Sequence, residues 1–237
     1  MLVAGFPAGS WGTNCYVVAP AAGEQCVVID PGQDAADGVA ELIREHRLSP
    51  VAVLLTHGHI DHIWSVVPVC GASDVPAFIH PADRDLLSDP GKGLGMDVGS
   101  MFGGLTFTEP DDVRELTEDG PLELAGLRFS VDLSPGHTPG SICFRLPAIE
   151  AGEVTVPLMF SGDLLFAGSI GRTDLPGGSY PTILQSLARV CLPLPDETAV
   201  LSGHGPATTI GRERASNPYL REAAESAGAA VPPARGL

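Results

Sequence analysis

A mixed α/β domain is predicted by three features of this chain. Short Val- and Ile-rich runs alternate along it with segments of helical periodicity. Four of the apolar runs stop at small-residue turns bearing His57, His137, Asp163 or His204. At 237 residues the chain can bury a sizeable core, and no repeat or composition break marks a second domain. Residues 1–221 read as one domain, and 222–237, rich in Ala, Gly and Pro, as a disordered tail.

Thr13–Val18 and Gln25–Ile29 are two strands of a hairpin, parted by Pro20 and Gly23. The second ends in Asp30-Pro31-Gly32. Asp30 is either a turn residue or a carboxylate that orients a metal-bound histidine. Asp34–Arg47 has helical spacing at Val39, Leu42 and Ile43, with Asp34 as cap and His46 exposed. After the Val51–Leu55 strand, Ile63–Val69 continues a helix with Trp64 in the core. Pro76–His80 is a short strand and Pro81–Leu87 a short helix; His80, at their junction, has a structural or surface role. Residues 89–110 are Gly-rich with scattered Met101, Phe102 and Phe107, the pattern of a lid or binding loop. Leu127–Leu133, Ser141–Leu146, Val154–Phe160 and Thr198–Leu201 are further strands, and Tyr180–Val190 is an amphipathic helix.

The densest chemistry lies in VAVLLTHGHIDHIW, residues 51–64. A buried strand stops at Thr56 and delivers His57, His59, Asp61 and His62 within six residues. Side chains alternate along extended backbone, so His57 and His59 face one way. Asp61 and His62 fall where the chain turns into a helix, aimed at a neighbouring position. Imidazoles and a carboxylate at one strand mouth suit zinc or a similar borderline metal.

Composition excludes several classes. The net charge of −16 argues against a nucleic-acid partner. Lys92 is the single lysine, so anion binding falls to guanidinium groups. Cys15, Cys26, Cys70, Cys143 and Cys191 are odd in number and lack any CxxC, the pattern of reduced core thiols in a cytoplasmic protein. No run approaches a membrane span, and MLVAGFPAGSWG lacks the basic start of a signal peptide.

THGHIDH resembles the HxHxDH signature of the metallo-β-lactamase superfamily. SPGHTPGS, FSGDLLF and LSGHGP are similar to its later ligand motifs, in the same order. Gly171-Arg172-Thr173-Asp174 and GHGPATTIGRERASNPYL resemble the small bacterial glyoxalase II-like hydrolases. The resemblance implies a four-layer αβ/βα sandwich. It implies two divalent metal ions, zinc first, with iron or manganese as alternatives. His57, His59 and His137 would hold one; Asp61, His62 and His204 the other; Asp163 would bridge them. The implied reaction is hydrolysis of an anionic S-acyl thiol such as S-lactoylglutathione by a bridging hydroxide. Asp61 and Asp163 are its catalytic carboxylates. Arg172 is the candidate substrate-binding residue, with Arg212 and Arg214 as lesser ones. Persulfide dioxygenation at a single iron is the alternative implied by the same motifs, and β-lactam hydrolysis a third.

Overall fold

The computed structural model describes residues 1–117, 120–147 and 156–228. Two six-stranded sheets lie face to face, with helices outside each. The first sheet runs in chain order: β1 (Leu2–Ala8), β2 (Thr13–Ala19), β3 (Gln25–Ile29), β4 (Ser49–Leu54), β5 (Ala77–Ile79) and β6 (Val113–Glu115). β1 to β3 pair antiparallel, and β3 to β6 pair parallel. The second comprises β7 (Leu122–Leu124), β8 (Leu127–Leu133), β9 (Ile142–Leu146), β10 (Leu158–Gly162), β11 (Ala199–Ser202) and β12 (Thr208–Thr209). Its β10 and β11 are parallel and its other pairs antiparallel.

Period-two alternation explains the four layers. Val27 and Ile29 of β3, with Leu54 of β4, point between the sheets onto Phe129, Phe144 and Phe160. Their neighbours Val28 and Val53 point outward, onto Val39 of α1 (Ala35–His46), Ile63 of α2 (Ile60–Ile63) and Val66 and Val69 of α3 (Val66–Ser73). Strands buried on both faces read as unbroken apolar runs, as β3 and β4 do. Behind the second sheet, Cys143, Met159 and Val200 pack on Ile183 and Leu184 of the first turns of the helix at Tyr180–Ser186 and on its π-helical extension Leu187–Cys191. One-turn α4 (Gly91–Leu94) and α5 (Val98–Met101) precede that helix, which is therefore α6. α7 (Ile210–Ser216) and α8 (Pro218–Ser226) follow β12.

Several expectations change. Asp34 sits in the left-handed region with no side-chain cap; the Ala35 amide bonds Ser65 Oγ at 3.1 Å instead. An N-cap accepts with its side chain from extended backbone, and Asp34 at φ 56° is not extended. Trp64 is half-buried, because the helix breaks at Ser65 and the indole joins an aromatic group with Trp11, Phe102 and Phe107. Pro81–Leu87 forms the expected short helix, of the 3-10 kind, and His80 has a structural role as its cap, Nδ1 accepting from the Ala82 amide at 3.2 Å. Of the strand expected over 154–160, residues 154 and 155 lie outside the described residues, and β10 runs through Gly162.

The expected tail begins too early. Glu222–Ser226 belong to α8, where Leu220, Ala223 and Ala224 are buried at helical spacing and Asn217 caps the start. Two small alanines supply that apolar stripe, so composition hid it. Residues 229–237 lie outside the described residues. Among the described residues, no helix is long and apolar enough to cross a membrane.

Candidate metal centre

Parallel pairing of β3 with β4 sets Asp30 beside Thr56 at the strand mouths. The Thr56 amide and hydroxyl donate to Asp30 Oδ1 and Oδ2 at 2.8 and 2.6 Å, and His62 Nδ1 donates to Oδ2 at 2.9 Å. Asp30 is therefore an orienting carboxylate rather than a mere turn residue. Because the Thr56 hydroxyl is spent on Asp30, it accepts from His57 Nδ1 at 3.1 Å. His137 Nδ1 donates likewise to the Arg172 carbonyl at 2.7 Å. His57 and His137 thus turn their other nitrogen inward with a lone pair, and His62 turns Nε2 the same way.

Those inward atoms converge. His57 Nε2 lies 3.2 Å from His137 Nε2, which lies 2.8 Å from His59 Nδ1. Two imidazole nitrogens held that close need either a shared proton or a cation between them. His62 Nε2 and Asp163 Oδ1 are 3.3 Å apart, buried, and in no hydrogen bond. His204 Nε2 meets Asp61 Oδ2 at 3.0 Å and Asp163 Oδ2 at 3.8 Å. Three groups satisfy the reach of one ion each: His57, His59 and His137; His57, His62 and Asp163; Asp61, His62 and His204. The donor set fits a dinuclear site of mixed imidazole and carboxylate character. All seven residues expected from the motifs are drawn together.

Burial and mutual repulsion keep the first imidazoles neutral. Burial and His137 push His59 down to about 3. Burial, with His62 beside it, holds His57 well below the ordinary histidine value. At His62, burial is outweighed by Asp61, Asp163 and Asp30, which raise it well above the ordinary histidine value. Burial likewise opposes ionisation of Asp163, but His62 holds its carboxyl below the usual range.

Glycine is required where backbone meets this cluster. A Cβ on Gly203 would lie 2.2 Å from Asp163 Oδ1, and one on Gly171 would lie 2.0 Å from the Asp163 carbonyl. Asn14 secures the Gly203–Gly205 turn, its amide donating to the Gly203 carbonyl at 2.7 Å and Nδ2 to the Gly205 carbonyl at 2.9 Å.

Sequence reasoning passed over Asp83. It is fully buried and accepts from the Gly58 amide at 2.9 Å, the Gly140 amide at 2.7 Å and the Thr138 hydroxyl at 2.6 Å. One carboxylate thereby clamps the His57–His59 turn to the His137 turn. An Asp near a helix start is common, and nothing in its neighbours signals this role.

The cluster floors a cleft of about 380 Å³ walled by Trp11, Ile60, Leu94, Phe166, Arg172 and Leu175. Arg172 reaches the cleft, but its guanidinium is bidentate to Asp174 at 2.7 and 2.8 Å. Arg214 is committed elsewhere, donating to the Leu192 and Leu194 carbonyls, and Arg212 is exposed outside the cleft. His46 and His80 take no part in the cluster.

A mixed α/β sandwich with a His/Asp cage at its strand mouths is the architecture of a metallo-hydrolase, and the comparisons agree. The profile described as Metallo-beta-lactamase superfamily matches residues 8–204. This chain belongs to that superfamily. It is 47% identical over 221 residues to an uncharacterized protein of Mycobacterium tuberculosis, covering 93% of this chain and 98% of that one. Hydroxyacylglutathione hydrolase GloC of Haemophilus influenzae is 32% identical over 206 residues, covering 83% and 88%. Among solved structures, the BLEG-1 B3 metallo-beta-lactamase aligns with TM-score 0.77 and 37% identity over 92% of this chain and 99% of its own. TTHA1623 in a di-iron-bound form aligns with TM-score 0.70 and 39% identity, covering 89% and 96%.

Proposed function

We propose that this protein is a metal-dependent hydrolase of S-acyl low-molecular-weight thiols, a glyoxalase II-like activity. The observation that carries the reading is the convergence of His57, His59, Asp61, His62, His137, Asp163 and His204 on one open cleft, with buried donor atoms left without partners. The likeness to GloC supports the thioester class. Two divalent ions, zinc or iron, would be held with His57, His59 and His137 on one, Asp61, His62 and His204 on the other, and Asp163 shared. Such ions supply Lewis-acid polarisation of a carbonyl and lower the pKa of water to near neutrality.

The chain's own groups do the rest. Asp30, Thr56 and the Arg172 carbonyl fix which nitrogen His62, His57 and His137 present. Asp61 is the more exposed of the two inner carboxylates and takes the proton of the attacking water at Oδ2, which Thr13 Oγ1 orients by donating to it at 3.2 Å. A thiolate leaves without a strong acid, so no further proton donor is needed.

The BLEG-1 likeness supports β-lactam hydrolysis as a second reading. Metal analysis with an assay panel separates the possibilities. Thioester cleavage by metal-loaded enzyme is the expected result. Inert thioesters with cleaved β-lactams, or oxygen uptake with glutathione persulfide at one iron per chain, would overturn it.

A further inference from the structure

The cleft wall is apolar and prearranged. Trp11 sits at the tip of the β1–β2 hairpin, in a turn held by Gln33, whose Oε1 accepts from the Ser10 amide at 2.9 Å and its hydroxyl at 2.7 Å. Its indole stacks edge-on against Trp64 at 5.6 Å and Phe102 at 5.9 Å. Phe107 joins Trp64 at 5.5 Å. The Gly-rich segment 89–110 is therefore pinned to the site rim by Phe102 and Phe107, and it contributes Leu94 to the wall. Phe166, whose ring centroid is 6.1 Å from that of His204, and Leu175 face it from the second half of the chain.

Charge points the same way. Among the described residues Arg172 is the one Lys or Arg lining the cleft, and its guanidinium is paired with Asp174, whose carboxyl that pairing holds down at about 2. The net charge of −16 repels an anionic carrier at long range. Trp11, 37% exposed on the cleft wall, offers an apolar face that a ligand can cover.

We propose that Trp11, Leu94, Phe166 and Leu175 determine specificity, selecting thioesters with an apolar acyl group on a carrier whose charge is not read. This rests on the thioester reading above. The geometry of the wall is independent of that chemistry, so binding and turnover test the two separately.

The experiment uses metal-loaded protein with acetyl, butyryl and hexanoyl thioesters of N-acetylcysteamine and of glutathione. Binding of the uncleavable S-alkyl thioethers of both carriers is followed by tryptophan fluorescence, Trp11 and Trp64 being the only two reporters. The expected result is a rise of about fourfold per added methylene in kcat/KM and in thioether affinity, on both carriers alike. Trp11→Ala and Leu175→Ala should each flatten that slope; the second serves if the first does not fold. Turnover independent of acyl length, or a tenfold preference for glutathione, overturns the proposal while the hydrolase stands. Thioethers that bind with the expected slope, beside thioesters that are never cleaved, uphold the wall and overturn the hydrolase.

Discussion

His59 Nδ1 lies 2.8 Å from His137 Nε2 although 78 residues separate them. The β4 mouth supplies His57 and His59, and only the facing of the two sheets brings His137 onto them. Removing one member should therefore cost the ion and spare the fold. His59→Ala is expected to lose metal affinity by more than about 100-fold and with it turnover, the packed sheets persisting. Metal stoichiometry by mass spectrometry and far-UV circular dichroism check this; an active variant with full metal content would sink the cage.

Asp30 touches no inward-facing atom, yet it holds Thr56 and His62. Asp30→Asn keeps the shape but loses an acceptor. A drop of about 10- to 100-fold in metal affinity, measured by competition with a chelator, is the expected outcome. Unchanged affinity would assign Asp30 to the turn alone.

Asp83→Ala leaves the Gly58 and Gly140 amides without an acceptor in the interior. A loss of about 3 kcal/mol in unfolding free energy is expected, from roughly 1–3 kcal/mol per abandoned buried donor. Denaturant titration reads it, and metal affinity should fall in the same variant because the His57–His59 and His137 turns are no longer tied.

Loading should release protons. Burial lowers His204, but Asp61 and Asp163 outweigh it and raise it, and the same carboxylates raise His62 further. Groups raised above the ordinary histidine value hold protons near neutral pH, and coordination needs the bare nitrogen. Metal affinity should therefore climb as pH rises through that range. Calorimetry in buffers of different ionisation enthalpy measures the release; buffer-independent heats would contradict it.

All five cysteines are buried and free, and burial pushes Cys26, Cys70 and Cys143 each up to about 12. Thiols so protonated react slowly. Ellman's reagent at mild alkaline pH should find almost none in the native protein and five after denaturation.

Much of this molecule is legible in its sequence. The strands Thr13–Val18, Gln25–Ile29 and Leu127–Leu133 and the helix after Gly32 announced themselves through apolar periodicity, which is a local property. Missed elements were those whose signal is weak over a few residues. β1 carries Pro7, β6 and β7 span three residues each, and α8 spends alanines where larger residues would have shown a stripe.

The sequence by itself determined which atoms are available: imidazoles and carboxylates set beside glycines that let backbone come close. Only the tertiary structure decided which nitrogen each histidine turns inward, that Asp83 clamps two distant turns, and that Arg172 spends its charge on Asp174. The physical reason is range. Donor chemistry belongs to a single residue, whereas hydrogen-bond direction and burial depend on what sheet register and packing bring alongside from elsewhere in the chain.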